Sequence, residues 1–513
     1  MLYLAVAVLF LLGIAFIVAT LQHRTASRLP PGPKALPIIG NFFDLPPANT
    51  CLWDFWLRHA PIYGPISYLS VFGDEMVILN NLSTATELLE KQSSISADRF
   101  QQVFFSQMCG WGGLFGFLPV GRSWKVGRRL FHSTIGTPQN VARFVPIQDS
   151  ETHRFLARVL KDPDHLFQHV RAEAAAIILR MTYGYTIHSI PPDPLTTVVD
   201  EAFRQAGHAG QPGVWLVDLV PALKYLPDWC PGTSFRKTAK PAAFVKQQMR
   251  TNSHERSFLS TVYEQAADNM SAEDETIALW TAGSLYAGAA DTTVSTLYAF
   301  FVLMAIHPEI QQRAQTEIDE AVGTQQLPGI NDRQNLPYVE ALIKETLRWH
   351  PVAPTGIPHL MTANGTCAGC DIPKGANVIA NLWAIGRDPD VYTDANTFYR
   401  DRFLGPSPET DPRSFVFGFG RRICPGKLMA DQTLFLTISR ALAVFNICKA
   451  IDDDGVVIET LLEFEPGLVS QPKAVQLDIK ARSPGHEALI REVEVLHPWQ
   501  KSHAEELRGI TSW

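Results

Sequence analysis

Cysteine is scarce in this chain. There are seven in 513 residues: Cys51, Cys109, Cys230, Cys367, Cys370, Cys424 and Cys448. So sparse and odd a set excludes a disulfide-framed fold and suits a reducing compartment better. Zinc spacing is missing as well: Cys367 and Cys370 form a CxxC, but no second CxxC or histidine pair stands near them. A hairpin ahead of Ile372-Pro373-Lys374-Gly375 is the plainer reading. Charge of one sign is also absent. The net charge is −7 with no long run of either sign, which argues against nucleic acid as a partner. Charged residues make up 19% of the chain, below the ~25% of typical soluble domains, as fits a protein partly in contact with lipid. No internal repeat, low-complexity segment or nucleotide-binding domain is visible.

What is present begins at the N-terminus. Leu2 to Leu21 is uncharged and mostly apolar, and a membrane-spanning helix needs ~20 such residues. A cleaved signal peptide would start basic and have a shorter apolar centre. The basic residues come afterwards, at His23, Arg24, Arg28 and Lys34, so the body is expected on the cytosolic side. Leu29-Pro30-Pro31-Gly32-Pro33 then reads as a stiff, non-helical joint. Helical patterns dominate from Ser83 to His350, with strand-like pieces at Ile66–Leu79 and Asn377–Leu382. The longest helix is expected from Ser271, with Asp274 completing a capping box, to His307 before Pro308. After Ser483 the chain is more polar and carries no legible motif.

Three segments suggest chemistry. In Phe417-Gly418-Phe419-Gly420-Arg421-Arg422-Ile423-Cys424-Pro425-Gly426, the cysteine directly precedes a helical stretch, Lys427 to Phe445. A sulfur at a helix N-terminus, beside two arginines, can be held as thiolate. The glycines let backbone N–H groups approach it. In Glu345-Thr346-Leu347-Arg348 the carboxylate and guanidinium share a helix face. Ala287-Gly288-Ala289-Ala290-Asp291-Thr292-Thr293 sets small residues beside a hydroxyl and a carboxylate, a pair able to relay protons through water. Taken singly, each has a plain structural reading: a buried cysteine, a surface ion pair, a helix-packing face.

Together they resemble the cytochrome P450 family. Phe417, Gly420, Arg422, Cys424 and Gly426 match every fixed position of its haem-binding signature. The resemblance implies a mainly α fold with a minor β region and haem b (iron protoporphyrin IX) as cofactor. Cys424 would be the axial thiolate and the metal ligand. Phe417, Gly418 and Gly426 would surround it, and Arg422, Trp124, Arg128 and His359 would hold the propionates. Glu345, Arg348 and Arg402 would form a buried structural triad. Asp291 and Thr292 would be the catalytic, proton-managing pair. Two departures stand out: Arg400 occupies a position where proline is usual, and Ala289 one where a second glycine is common, so its methyl is expected to narrow the oxygen groove.

The organisation implied is an anchor at 2–21, a joint at 22–34, one catalytic domain at 35–482 and a polar tail at 483–513, with the chain single-pass in the endoplasmic reticulum membrane. The activity implied is monooxygenation of a small apolar substrate by O2, with electrons from NADPH through a separate NADPH–cytochrome P450 reductase. By position in the family, the substrate pocket is lined by the loop from Phe100 to Val120, with Phe104, Phe105, Trp111, Phe115 and Phe117. Val352–Ile357 and Gly467–Val469 would close it. The general style resembles fungal members of specialised metabolism, pointing to a terpenoid or polyketide intermediate. The competing readings are a reductase-independent haem-thiolate isomerase, dehydratase or peroxygenase, and a membrane haem protein without turnover.

Overall fold

The structure, a computed structural model, describes residues 28–47, 50–188, 193, 195–197, 217, 257–266 and 270–508. The expected anchor at 2–21 lies outside the described residues. The fold is mostly helical, with three small sheets among the described residues. We label the helices that position the site α1 (Arg122–Ile135), α2 (Val145–Lys161), α3 (Leu166–Tyr183), α4 (Ala272–Ile306), α5 (Pro308–Ala321), α6 (Pro337–Trp349), α7 (Lys427–Val444) and α8 (Pro484–Arg491).

Helix α4 is the axis of the body. Its 35 residues span about 50 Å at 1.5 Å per residue. Ser271 caps it, its Oγ accepting from the Asp274 amide at 3.1 Å and donating to the Asp274 carboxylate at 2.8 Å. It stops at His307, as the residue before Pro308 should. From Thr293 to Ala305 every residue is buried, so this half crosses the core. Among the described residues α4 alone is long and apolar enough to span a membrane, but most of that stretch is buried inside the protein, which makes it a core helix.

Helix α6 opens at Pro337, where a missing N–H costs nothing. Its next two amides, Tyr338 and Val339, donate to Glu317 of α5 at 2.8 and 3.0 Å, so a distant carboxylate does the capping. Phe301, Leu342, Phe435 and Leu442 bring α4, α6 and α7 into one apolar core with α2 and α5. A second cluster joins α1 and α3 to the first half of α4.

The main sheet has β1 (Ile66–Val71) antiparallel to β2 (Asp74–Leu79). It also has β3 (His359–Leu360), and the strand Asn377–Ala380, which pairs parallel with β2 and antiparallel with β3. Gly365–Cys367 and Cys370–Ile372 form the expected hairpin around the CxxC. Ala368 and Gly369 make its turn with positive φ, and both cysteines are free. The polar residues beyond 482 pack on the body: Ser483 caps α8, and Leu489 and Ile490 join the main core.

Candidate active site

Cys424 sits three residues before α7, and its amide donates to Phe417 O at 2.8 Å. Gly420 can be nothing else in this loop. Its φ is +53°, and a Cβ would come 2.4 Å from Leu89 O. At Gly426 a Cβ would lie 3.8 Å from the Cys424 sulfur, so the bare backbone keeps close approach open. Cys424 is densely surrounded by protein and still has accessible surface; a side chain with both properties faces an internal cleft. Burial pushes its thiol up. The amides of Gly426 and Lys427 and the charges of Arg128 and Lys427 oppose that rise. The two arginines expected to favour the thiolate are placed otherwise: Arg421 is exposed, and Arg422 points toward Ala97 and Leu118. Arg128, reaching from α1, supplies that charge instead.

Beside the cysteine lies a cradle of cations. Arg128 donates to Ile423 O at 2.6 Å. Arg422 donates to Ala97 O at 2.6 Å and Leu118 O at 2.8 Å, and its guanidinium lies 4.7 Å from the Trp124 ring centroid. Trp124 is four residues before Arg128 on α1, as the spacing predicts. His359 is buried on β3, with Nδ1 bonded to Ser96 O at 2.8 Å. Because a carbonyl only accepts, that nitrogen carries the proton.

The cradle has a fifth member that the sequence reading missed. Arg99 donates from Nε to Gly116 O at 2.9 Å and from Nη1 to Ile357 O at 2.8 Å and Pro358 O at 2.9 Å. Burial, then the charge of Arg422, pushes its guanidinium down to about 9. Burial pushes Arg422 down to about 10 and Arg128 below its usual range. Burial, with Arg99 beside it, holds the His359 imidazolium well below its ordinary value. One carboxylate, Asp98, acts on both Arg99 and Arg422. Trp124 Nε1 and one Arg422 Nη are buried with no partner among the described residues.

Helix α4 carries the expected proton-managing pair. Ser284, Gly288 and Thr292 follow at i+4, so they share a face, and all three keep accessible surface on this largely buried helix. A Cβ at Gly288 would meet nothing within 4 Å. The partly buried methyl of Ala289 packs on the cluster with α1 and α3. Thr292 Oγ1 donates to Gly288 O at 2.6 Å. Asp291 pairs with Arg171 of α3 at 2.9 Å. Burial raises the Asp291 carboxyl, and Arg171 opposes the rise.

Four of the five aromatics expected in the pocket wall gather: Phe104, Phe105, Trp111 and Phe117 cluster with Trp280 and Ala287 of α4. Phe115 does not. It stacks on Trp124 at 6.3 Å and packs on Phe131, while its amide donates to Ser284 Oγ at 2.9 Å. It ties the loop to α4 and backs the cradle.

Behind the site, Arg348 makes a bidentate pair with Glu345 at 2.7 and 2.8 Å, and Arg402 Nε lies 3.2 Å from the same carboxylate. The expected triad is in fact a quartet. Arg402 also donates to Glu409 at 2.8 Å, which makes two anions for two cations. Burial alone would raise the Glu409 carboxyl, but the Arg402 and Thr393 hydrogen bonds hold it below its usual range. The proline replacement costs no turn: Arg400–Phe403 forms a 3-10 helix, and Arg400 Nε donates to the Tyr338 hydroxyl at 2.6 Å.

A helical body with a cysteine loop at the head of α7, bordered by buried arginines, defines a class, and comparison with known proteins gives that class its name. The cytochrome P450 family profile matches residues 30–479. Cytochrome P450 monooxygenase ppsD of Aspergillus oryzae is 42% identical, covering 99% of this chain and 100% of the relative. Cytochrome P450 monooxygenase claR of Ampulloclitocybe clavipes is 43% identical over 98% of this chain and 94% of the relative. O-methylsterigmatocystin oxidoreductase of Aspergillus flavus is 38% identical over 94% and 93%. A solved zebra fish cytochrome P450, determined with abiraterone, shares the fold, with a TM-score of 0.66, 23% identity and coverage of 84% of this chain and 100% of that one. This chain belongs to the cytochrome P450 monooxygenase family.

The family implies haem-thiolate chemistry, and the residues present fit that cofactor. Haem carries two carboxylates, and the cradle offers buried cations and an indole N–H in need of acceptors. It also needs room at a sulfur, and Cys424 keeps accessible surface.

Proposed function

We propose that this protein is a haem-thiolate monooxygenase in which Cys424 holds the haem iron and the cradle of Arg99, Trp124, Arg128, Arg422 and His359 holds the propionates. The observation that carries this reading is the unbalanced, buried cationic cradle beside an accessible but enclosed cysteine. Bound haem would supply the oxygen chemistry, using its thiolate's electron donation. Phe417, Gly418 and Gly426 keep the loop close to the sulfur, with Gly426 N–H tuning it. A propionate charge would hold His359 as imidazolium, which its Ser96 bond requires if the other nitrogen is to donate.

Thr292 moves protons at Oγ1. To do so its hydroxyl turns from Gly288 O toward the cleft. Asp291, raised by burial, takes up and releases the proton more readily near neutrality than a free carboxyl would. Glu345, Arg348, Arg402 and Glu409 hold the fold beneath the site and touch no reactant.

The aromatic wall supports a small apolar substrate. The relatives are fungal, one of them an O-methylsterigmatocystin oxidoreductase, which supports a role in specialised metabolism; the substrate class we propose is a terpenoid or polyketide intermediate. Electrons would come from NADPH through a separate NADPH–cytochrome P450 reductase. Residues 2–21 would anchor the chain in the endoplasmic reticulum membrane with its body in the cytosol. Exposed Leu36, Ile38, Phe42, Phe43 and Phe72, close behind the joint, would rest against lipid. The experiment that tests the reading measures product formed per NADPH consumed, in wild type and Thr292→Ala, with haem content matched. Uncoupling toward peroxide in the variant supports it; an unchanged ratio removes Thr292 from proton delivery.

A further inference from the structure

Five of the seven serine and threonine hydroxyls of α4 behave alike. Thr276, Thr281, Ser284, Thr292 and Thr296 each donate back to the carbonyl four residues earlier, the usual resort of a hydroxyl inside a helix. Ser295, fully buried, donates instead to Ser470 O at 2.6 Å. Ser470 belongs to a hairpin in which Phe464 bridges Pro472 and Glu465 N donates to Gln471 O at 2.8 Å. Gly467–Val469 is its tip.

Chemistry fixes the rest of this junction. The single proton of Ser295 Oγ goes to Ser470 O, so its 2.9 Å contact with His350 Nε2 must be donated by the histidine. His350 therefore carries a proton on Nε2, and burial, which pushes its imidazolium down to about 3, keeps the ring neutral. Its ring lies flat on Phe464, 4.1 Å away at 10°. Ser470 N donates to Val352 O at 2.8 Å, just past His350. Gln471 Nε2 approaches Asp291 O at 3.4 Å. The central helix, the loop starting at Val352 and the hairpin thus meet on Ser295, one turn past Asp291. Within that stretch three backbone carbonyls, Gly288, Asp291 and Thr292, each take a hydrogen bond from a side chain.

We infer that Ser295, with His350, Ser470 and Gln471, forms a junction of positioning residues that couples the pocket-closing hairpin to the helical turn carrying Asp291 and Thr292. A substrate pressing on Gly467–Val469 would move the backbone that presents the proton-delivery pair, so pocket occupancy and proton delivery would change together. The inference rests on the proposed roles of Asp291, Thr292 and the 467–469 tip.

The test uses full-length, haem-loaded protein and a bulky azole, clotrimazole, as the pocket probe. Amide hydrogen exchange is followed at 288–296 and 463–473, with and without probe. In wild type the probe should slow exchange in both segments, by at least about five-fold at 288–296, the lower end of typical coupling between sites. In Ser295→Ala and Gln471→Leu the hairpin should still respond, while 288–296 changes by less than about two-fold. Ser295→Thr, which keeps the donor, should restore the joint response. If Ser295→Ala does not fold, Gln471→Leu carries the test alone. A wild-type helix that ignores the probe would overturn the inference, as would variants whose segments still respond together. Exchange raised equally with and without probe would mean the junction is only structural, and overturns it too. Loss of the thiolate signature in wild type would instead strike the haem-thiolate reading, whatever the exchange shows.

Discussion

Two buried groups of arginines in this protein are built on opposite terms. Around Glu345, two guanidiniums meet two carboxylates and five backbone carbonyls, those of Gly386, Ala395, Thr397, Thr393 and Asp394. Both cations there have a carboxylate within ion-pair distance, although Arg402 Nε makes no directed hydrogen bond. Around Arg422, three arginines crowd together with one aspartate that acts on only two of them, and donors are left over. A buried charge without a partner is expensive, and a fold keeps such a group where a ligand supplies what is missing. A balanced cluster holds structure, and an unbalanced one marks the place of an anion. Neither role follows from arginine itself; the local sum of charges decides it.

The largest expected effect breaks the balanced cluster. Glu345→Ala leaves Arg348 and Arg402 without their shared carboxylate. Losing one member of a buried pair costs about 3–5 kcal/mol, so little folded, haem-loaded protein should be recovered. A stable variant with normal haem content would show that the cluster is not what holds this region.

Glu173 is an intermediate case: Thr152 and Thr437 satisfy one oxygen at 2.9 and 2.8 Å, and the other has no partner among the described residues. Burial pushes its carboxyl up to about 7, against those hydrogen bonds and the charge of Arg158. A raised folded-state value means stability that is present below the ordinary value and lost as pH rises through about 7. Glu173→Gln should therefore flatten the pH dependence of denaturant unfolding, gaining up to roughly 3 kcal/mol over wild type at pH 8 and almost nothing at pH 4. Parallel pH curves for the two proteins would place its ionisation elsewhere.

Glu409→Gln sharpens the comparison at lower cost. Its carboxylate is partly exposed, so screening reduces what the pair contributes, and about 1 kcal/mol should be lost in urea unfolding. A loss as large as that of Glu345→Ala would mean that charge balance alone, and not burial, sets the cost. The smallest effect on folding belongs to the cradle. Trp124→Phe keeps an aromatic ring beside Phe115 and removes the unpartnered N–H together with part of the ring under Arg422. Unfolding of the haem-free protein should change by no more than about 1 kcal/mol. Haem transfer to an acceptor globin should quicken by roughly 10-fold, as losses around a metal site commonly do. Equal damage to both readouts would make the cradle ordinary core.

The sequence carried the parts of this account that depend on local spacing. Trp124 and Arg128 four apart, Glu345 and Arg348 three apart, and a cysteine ahead of a helix each fix a geometry within one element, and the structure shows that geometry. What was hidden depends on distant parts of the chain. Glu409 reaches Arg402 through a loop with no motif, although two arginines against one glutamate already called for another anion. Arg99 is a lone cation before Phe100, and its carbonyl partners are as remote as Ile357. Phe115 looked like pocket wall because it is aromatic in an aromatic loop, but its amide is drawn to Ser284 and its ring to Trp124. The expectation that Arg421 and Arg422 favour the thiolate failed for the same reason: nearness in sequence says nothing about where a long side chain finds its acceptors.

The central claim is that Cys424 holds the cofactor in the cleft this cradle borders. It is tested most directly by the carbon monoxide difference spectrum of the reduced protein, recorded for wild type and Cys424→Ala at matched haem content. The account predicts the red-shifted Soret band of thiolate ligation in wild type and its loss in the variant. A variant that keeps that band would show that another residue holds the iron, and would contradict the account.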